Sequence, residues 1–120
     1  MSAGGAARLL VVGVAWRLAG AAPAGRALVD ALADGDEDER TVAGIQLTRA
    51  GDRSVPLLTA ALLAGGAPEL AVDVLAGIGT EEAKMALRRV VTEPGADAAC
   101  RESAGRALRT LEEIDRRGDR

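Results

Sequence analysis

The 120-residue chain lacks most of the side chains that carry enzymatic chemistry. It contains no histidine, tyrosine or phenylalanine, and only one cysteine and one tryptophan. Without histidine, Cys100 has no imidazole base that would make it a thiolate nucleophile, and a lone cysteine cannot form an internal disulfide. No glycine-rich phosphate loop containing a lysine is present. We therefore predict a protein that is not an enzyme, with no catalytic residue, no cofactor and no metal site.

The chain also lacks the excess of positive charge that nucleic-acid binding requires. Its formal net charge is −3, and there are too few aromatic side chains to stack against bases. The acidic run at 34–39 lacks the glycine and the distal glutamate of an EF-hand loop, so we interpret it as a helix start favoured by the helix dipole. A single cysteine is typical of a reducing compartment, and we expect a cytoplasmic location.

Glycine and proline divide the chain into seven segments of helical length: 6–19, 23–34, 37–50, 53–64, 68–78, 80–92 and 96–117. In the last segment Cys100, Ala104 and Leu108 follow the spacing of three or four residues that is typical of an amphipathic helix. Asp36 and Thr80 occupy positions suited to N-caps. No stretch alternates apolar and polar residues as a strand would, so the sequence predicts an all-α fold.

The helices repeat as pairs. The stretch RTVAGIQL at 40–47 returns as RESAGRAL at 101–108, and residues 39–62 align with 68–91 at an offset of about 29 residues. Each unit is a helix, a short turn containing glycine, and a second helix. Two short helices cannot bury an apolar face by themselves, so neighbouring units are expected to stack.

The clearest unit is DGDEDERTVAGIQLTRAGDRSVPLLTAAL, residues 34–62. Its first helix carries Arg40, Ala43 and Leu47, its turn is Gly51-Asp52, and Pro56 opens its second helix. This pattern resembles the short bacterial HEAT-like repeat of phycobilin-lyase-type proteins, and the resemblance covers about 23–115. It implies a single domain over 1–120, a right-handed α-solenoid of about three and a half helical pairs. It implies no lyase activity, because no residue here matches a lyase motif and HEAT repeats mostly supply binding surfaces.

The two ends of the predicted stack differ. Helix 96–117 is charged outside its apolar stripe, as a capping helix should be, whereas helix 6–19 is apolar on every side. We predict that Leu9, Leu10, Val12 and Trp16 of helix 6–19 bind a partner, with Trp16 as the anchor. Two alternatives stay open: the helix fills gaps in a small core, or it is a signal or membrane segment, although Arg17 interrupts the apolar run.

The second helices of stacked pairs usually line the concave face of such a solenoid. Here they carry five basic residues that could form a strip facing an acidic protein or a phosphate backbone, or simply water: Arg26, Arg53, Lys84, Arg88 and Arg89. The sequence thus predicts a protein–protein adaptor or scaffold that binds another protein or a second copy of itself. The alternative is a membrane-associated accessory subunit held peripherally by helix 6–19, and nucleic acid is disfavoured by the net charge.

Overall fold

Helices form from the segments that glycine and proline delimit. The computed structural model describes residues 5, 7–12, 22–64 and 68–118, and all regular structure in these ranges is helical. After a helical segment at 7–12, the elements are α1 (Ala22–Asp34), α2 (Glu37–Ala50), α3 (Val55–Leu63), α4 (Pro68–Ile78), α5 (Glu81–Thr92) and α6 (Ala98–Gly118), with a 3₁₀ turn at Gly51–Ser54. The all-α prediction is confirmed for the described residues.

Polar side chains cap the N-termini of two helices at the positions that the sequence predicts. Asp36 caps α2, since the Glu39 amide donates to Asp36 Oδ1 at 2.9 Å and the Asp36 amide donates to Glu39 Oε1 at 3.1 Å. This reciprocal arrangement is a capping box, and it accounts for part of the acidic run. Thr80 caps α5 by accepting a hydrogen bond from the Ala83 amide. These caps set the register at which the two helices begin.

Equivalent turns end α2 and α4. Gly51 and Gly79 have φ values of 65° and 64°, a backbone conformation that glycine adopts without the steric cost other residues pay. The two turns touch, because the Thr80 hydroxyl donates to the Asp52 carboxylate across 28 residues of sequence. The C-terminal ends of α2 and α4 therefore lie side by side.

Burial repeats with the same 28-residue spacing. Ala43 and Ala71 are both fully buried, and so are Leu47 and Leu75. The pattern continues into the second helix of each pair, where Leu62 and Val90 are buried. Two consecutive helix–turn–helix units therefore present the same positions to the core, which is the property expected of a structural repeat.

The helices lie in two layers. In one, α2 packs against α4 and α4 against α6, and in the other α1 packs against α3 and α3 against α5. The core between the layers is aliphatic and includes Leu28, Leu58 and Leu87, all with no exposed surface. Small buried residues, such as Ala83 and Ala104, accompany these leucines and allow helices to approach closely.

Helix α6 differs from the first helices of the preceding pairs because it continues for 21 residues without a break. It packs against both α4 and α5. Cys100 and Ala104 near its start are fully buried, whereas its last turns carry charged side chains to the surface. This long helix covers one end of the stack.

Candidate protein-interaction surfaces

The helical segment 7–12 has some side chains in the core and others at the surface. Leu9 has no exposed surface and joins the core cluster, against which Val12 also packs. Leu10 and Val11 are 50% and 72% exposed. Leu9 is thus held by the chain's own core and is not available to a partner, whereas Leu10 is exposed and its binding of a partner stays a prediction. Trp16, the predicted anchor, lies outside the described residues.

Segment 7–12 follows a residue that lies near the start of α2. A Cβ added to Gly5 would lie 2.5 Å from Glu39 Oε2, so the backbone there approaches the capping-box glutamate closely. Leu10 and Val11 are consecutive, and no other pair of consecutive large aliphatic residues in the described ranges is exposed to this degree. Adjacent exposed apolar side chains of this kind favour contact with another apolar surface.

One of the five predicted basic residues is not available at the surface. The Lys84 side chain is only 7% exposed, and its Nζ forms ion pairs with Glu81 on the same helix and with Asp115 on α6. The hydrogen bond to Asp115, followed by that to Glu81, raises the pKa of Lys84. The sequence predicted that Lys84 projects outward. In the structure its ion pair with Asp115 instead links α5 to α6.

Arg88, one helical turn after Lys84, also faces α6. Its Nη2 lies 3.9 Å from Glu112 Oε2, with both side chains about half exposed. Arg89 points to a different place, a groove of about 520 Å³ between α3 and α5 that Met85, Pro56 and Leu63 also line. The structure thus brings Lys84 and Arg88 together at α6 and places Arg89 in a separate groove.

The other two basic residues lie elsewhere. Arg26 is exposed on α1, and Arg53 is exposed in the 3₁₀ turn that precedes α3. A strip that joins these residues to Arg89 therefore stays a prediction.

The layer that contains α2, α4 and α6 carries two adjoining grooves that the sequence did not predict. The groove between α2 and α4 has a volume of about 490 Å³ and is lined by Leu32, Arg40, Thr41, Gly44, Ile45, Thr48, Arg49, Leu70, Asp73 and Val74. The groove between α4 and α6, about 640 Å³, shares Asp73 with it and includes Ile114. Ile45 is 47% exposed and Leu70 is 37% exposed. Both are apolar residues on otherwise polar helix faces, and this feature of the sequence could have indicated the grooves.

Side chains that could carry chemistry are not clustered. No group of three or more cysteine and acidic residues in the described ranges is arranged to hold a metal ion. The Cys100 thiol is buried, and burial raises its pKa. Among the helices that the structure describes, none combines the length and apolar character needed to cross a bilayer.

Comparison with known proteins supplies no relative for this chain. No family model matches it, and neither the curated proteins nor the solved structures contain a significant match.

Proposed function

We propose that this chain is a non-enzymatic protein-interaction adaptor, built as a HEAT-like right-handed α-solenoid and working in the cytoplasm. The two-layer packing and the 28-residue spacing of the Gly51 and Gly79 turns support the solenoid. Units of this type act mainly by presenting surfaces to other proteins. The residues available for chemistry support this choice too, because the sequence contains no histidine and its only cysteine is buried.

The observation that carries the proposal is the exposure of Leu10 and Val11 beside the buried Leu9. Leu9 fixes the segment to the core, so the two outward side chains are presented on an anchored helical turn. An anchored apolar pair loses little conformational entropy when a partner covers it, which favours binding. The partner is another protein or a second copy of the chain, and the groove containing Met85 and Arg89 is a secondary contact surface.

The test compares the full chain with a Leu10→Glu/Val11→Glu variant. Both are isolated from the cells that make the protein, and stoichiometric co-purifying proteins and the molar mass by light scattering are measured. We expect the variant to lose the associated protein or second copy, because two carboxylates would have to be desolvated in the contact. Ile114→Glu is the matched control, since Ile114 is 57% exposed on α6.

Circular dichroism establishes that both variants keep the helical fold. The proposal is wrong if the Leu10→Glu/Val11→Glu variant retains the same associated proteins and mass as the unsubstituted chain. It is also wrong if Ile114→Glu abolishes association to the same degree, because the effect would then not depend on the N-terminal pair.

A further inference from the structure

The charges of α5 change sign about the centre of the helix. The helix carries five charged residues: Glu81, Glu82, Lys84, Arg88 and Arg89. The two glutamates lie four and three residues before Met85, and the two arginines lie three and four residues after it. Met85 itself is 57% exposed. The outer face of α5 is therefore acidic at one end, apolar in the middle and basic at the other end.

Two of these charges are not used within the described part of the chain. Glu82 and Arg89 take part in none of the ion pairs found there, and both line the groove between α3 and α5. Lys84 is buried and paired with Glu81 and Asp115, so it adds little charge to the outer face. Glu82 and Arg89 are thus the charges of α5 that remain for a second molecule.

The surfaces on either side of α5 do not change this charge order. The helix α3, which forms the other wall of the groove, carries no charged residue from Val55 to Leu63. On the opposite flank of α5, Arg88 lies 3.9 Å from Glu112 of α6, so these two opposite charges offset each other. The groove therefore offers apolar contact, and Glu82 and Arg89 determine its charge pattern.

A second copy of the chain matches this face by two-fold symmetry. When two copies meet face to face, the two-fold axis lies in the plane of contact, and an axis perpendicular to α5 reverses the direction of the helix. Helix α5 then lies antiparallel on α5 of the second copy, and each flank meets the same flank of the second copy. If the axis passes at Met85, the two methionines pack on each other, and each acidic helix end lies over a basic one.

This register also brings the two unpaired charges together. Glu82 lies three residues before the axis and Arg89 lies four residues after it. Glu82 therefore approaches the second copy's Arg89 with a mismatch of one residue, which is about 1.5 Å of helix rise. Both side chains lie on the flank of α5 that faces α3, so the symmetry places them on the same side of the contact.

The exposed methionine distinguishes an association surface from ordinary helix stabilisation. The helix dipole by itself favours an acidic first turn and a basic last turn, but it does not require a large apolar side chain at the exposed centre. A partner of a single charge sign would be attracted to one end of α5 and repelled by the other. A second copy supplies both signs and the apolar contact with the same residues.

We propose that α5 forms an isologous dimer contact, with Met85 on the two-fold axis and Glu82 of each copy paired with Arg89 of the other. This inference rests on the proposed function, because it names a second copy as the partner of the groove that contains Met85 and Arg89. It uses a surface separate from Leu10 and Val11. Each ion pair occurs twice in the dimer, so a single substitution changes two contacts.

The first experiment is a charge swap measured by sedimentation velocity and light scattering over a wide concentration range. We expect the unsubstituted chain to dimerise and Glu82→Arg to raise the dissociation constant about tenfold or more, since two attractive pairs become repulsive. Arg89→Glu should have a similar effect. The Glu82→Arg/Arg89→Glu double variant should recover the dimer. That recovery would not come from a better helix, because the swapped charges oppose the helix dipole at both ends.

The second experiment tests the position of the axis, because a residue on a two-fold axis faces its own copy. Met85→Cys should form a disulfide between copies when incubated with oxidised glutathione, since facing Cα atoms of helices about 8–10 Å apart lie within reach of a disulfide. Ile114→Cys is the matched control, because Ile114 and Met85 are both 57% exposed. It should give much less covalent dimer. The unsubstituted chain, whose Cys100 is buried, gives the background.

Thermal unfolding checks that each variant folds, and the two experiments use different substitutions. A monomeric unsubstituted chain at every concentration would overturn the inference. So would a double variant that does not recover the dimer, or equal cross-linking of Met85→Cys and Ile114→Cys.

The Leu10→Glu/Val11→Glu variant separates this inference from the proposed function. If the dimer uses α5, that variant should keep the dimer mass while it loses other associated proteins. A dimer that is lost with Leu10→Glu/Val11→Glu, but kept with Glu82→Arg, would overturn this inference and support the N-terminal surface. A dimer that is lost with Glu82→Arg, with no association of any kind that depends on Leu10 and Val11, would do the reverse.

Discussion

Replacing Gln46 by methionine should stabilise the protein. Gln46 lies on α2 and is only 3% exposed, and no described residue supplies a hydrogen bond to its buried Oε1 atom. A buried acceptor left without a partner costs about 1–3 kcal/mol. Methionine has similar length and shape but carries no carbonyl to desolvate. The equivalent position 28 residues later is the buried Val74, so the repeat itself accepts an apolar side chain there.

We expect Gln46→Met to raise the free energy of unfolding by about 1–2 kcal/mol. For a chain of this length, 1 kcal/mol corresponds to about 4 °C in Tm. The assay is urea and thermal unfolding followed by circular dichroism. Thr59→Val is the matched control, because Thr59 is also buried but its hydroxyl donates to the Val55 carbonyl at 2.7 Å. That substitution removes a satisfied hydrogen bond and should destabilise by about 1 kcal/mol.

The two substitutions should thus have opposite signs although both replace a buried polar residue on a helix. If Gln46→Met lowers the free energy of unfolding by about 1 kcal/mol or more, the Gln46 side chain makes a favourable interaction that outweighs its enclosed oxygen. The assignment of Gln46 as a costly buried acceptor would then be refuted.

Three further predictions concern two glycines and the contact between α5 and α6. Gly51→Ala should destabilise by about 1–3 kcal/mol, because its φ of 65° and ψ of −135° suit glycine and no atom lies within 4 Å of the added Cβ, so the cost is conformational. Gly44→Ala, at a helical position with its nearest contact at 3.8 Å, should instead be stabilising in the same urea titration. The hydrogen bonds with Asp115 and Glu81 raise the pKa of Lys84 above its ordinary value of 10.5. The stabilisation that this shift represents is present below that value and is lost as pH rises through the higher folded-state pKa. Tm should therefore fall more steeply at high pH for the unsubstituted chain than for Lys84→Met, and equal slopes would contradict this role for the ion pairs.

Local signals predicted the helices well because they depend on residues close together in sequence. Gly51 and Gly79 end helices since both adopt positive φ, and Asp36 and Thr80 begin helices since each accepts a backbone hydrogen bond. The spacing of the repeats was also visible in the sequence. These features need no knowledge of how one helix packs on another.

The candidate surfaces were harder to predict because they depend on tertiary contacts. Lys84 was expected in a basic strip, but its partner Asp115 lies 31 residues away on a helix that crosses α5. Leu9 and Leu10 are consecutive leucines in an apolar stretch of sequence, and only packing determines that one is buried and the other exposed. Ile45 and Leu70 form one face only once α2 and α4 are placed side by side.

The link between Asp52 and Thr80 has a consequence for building longer versions of this protein. It joins equivalent turns 28 residues apart, so the residues that connect one unit to the next belong to the turns of the units themselves. Helix α6 contains no such turn and packs on the last pair through Lys84 and Arg88. A designer who wishes to add a copy of residues 52–79 after Gly79 should change the first residue of the copy to threonine, so that its hydroxyl donates to Asp52 as that of Thr80 does here. Units added after Gly118 would meet a helix end with no matching turn to receive them.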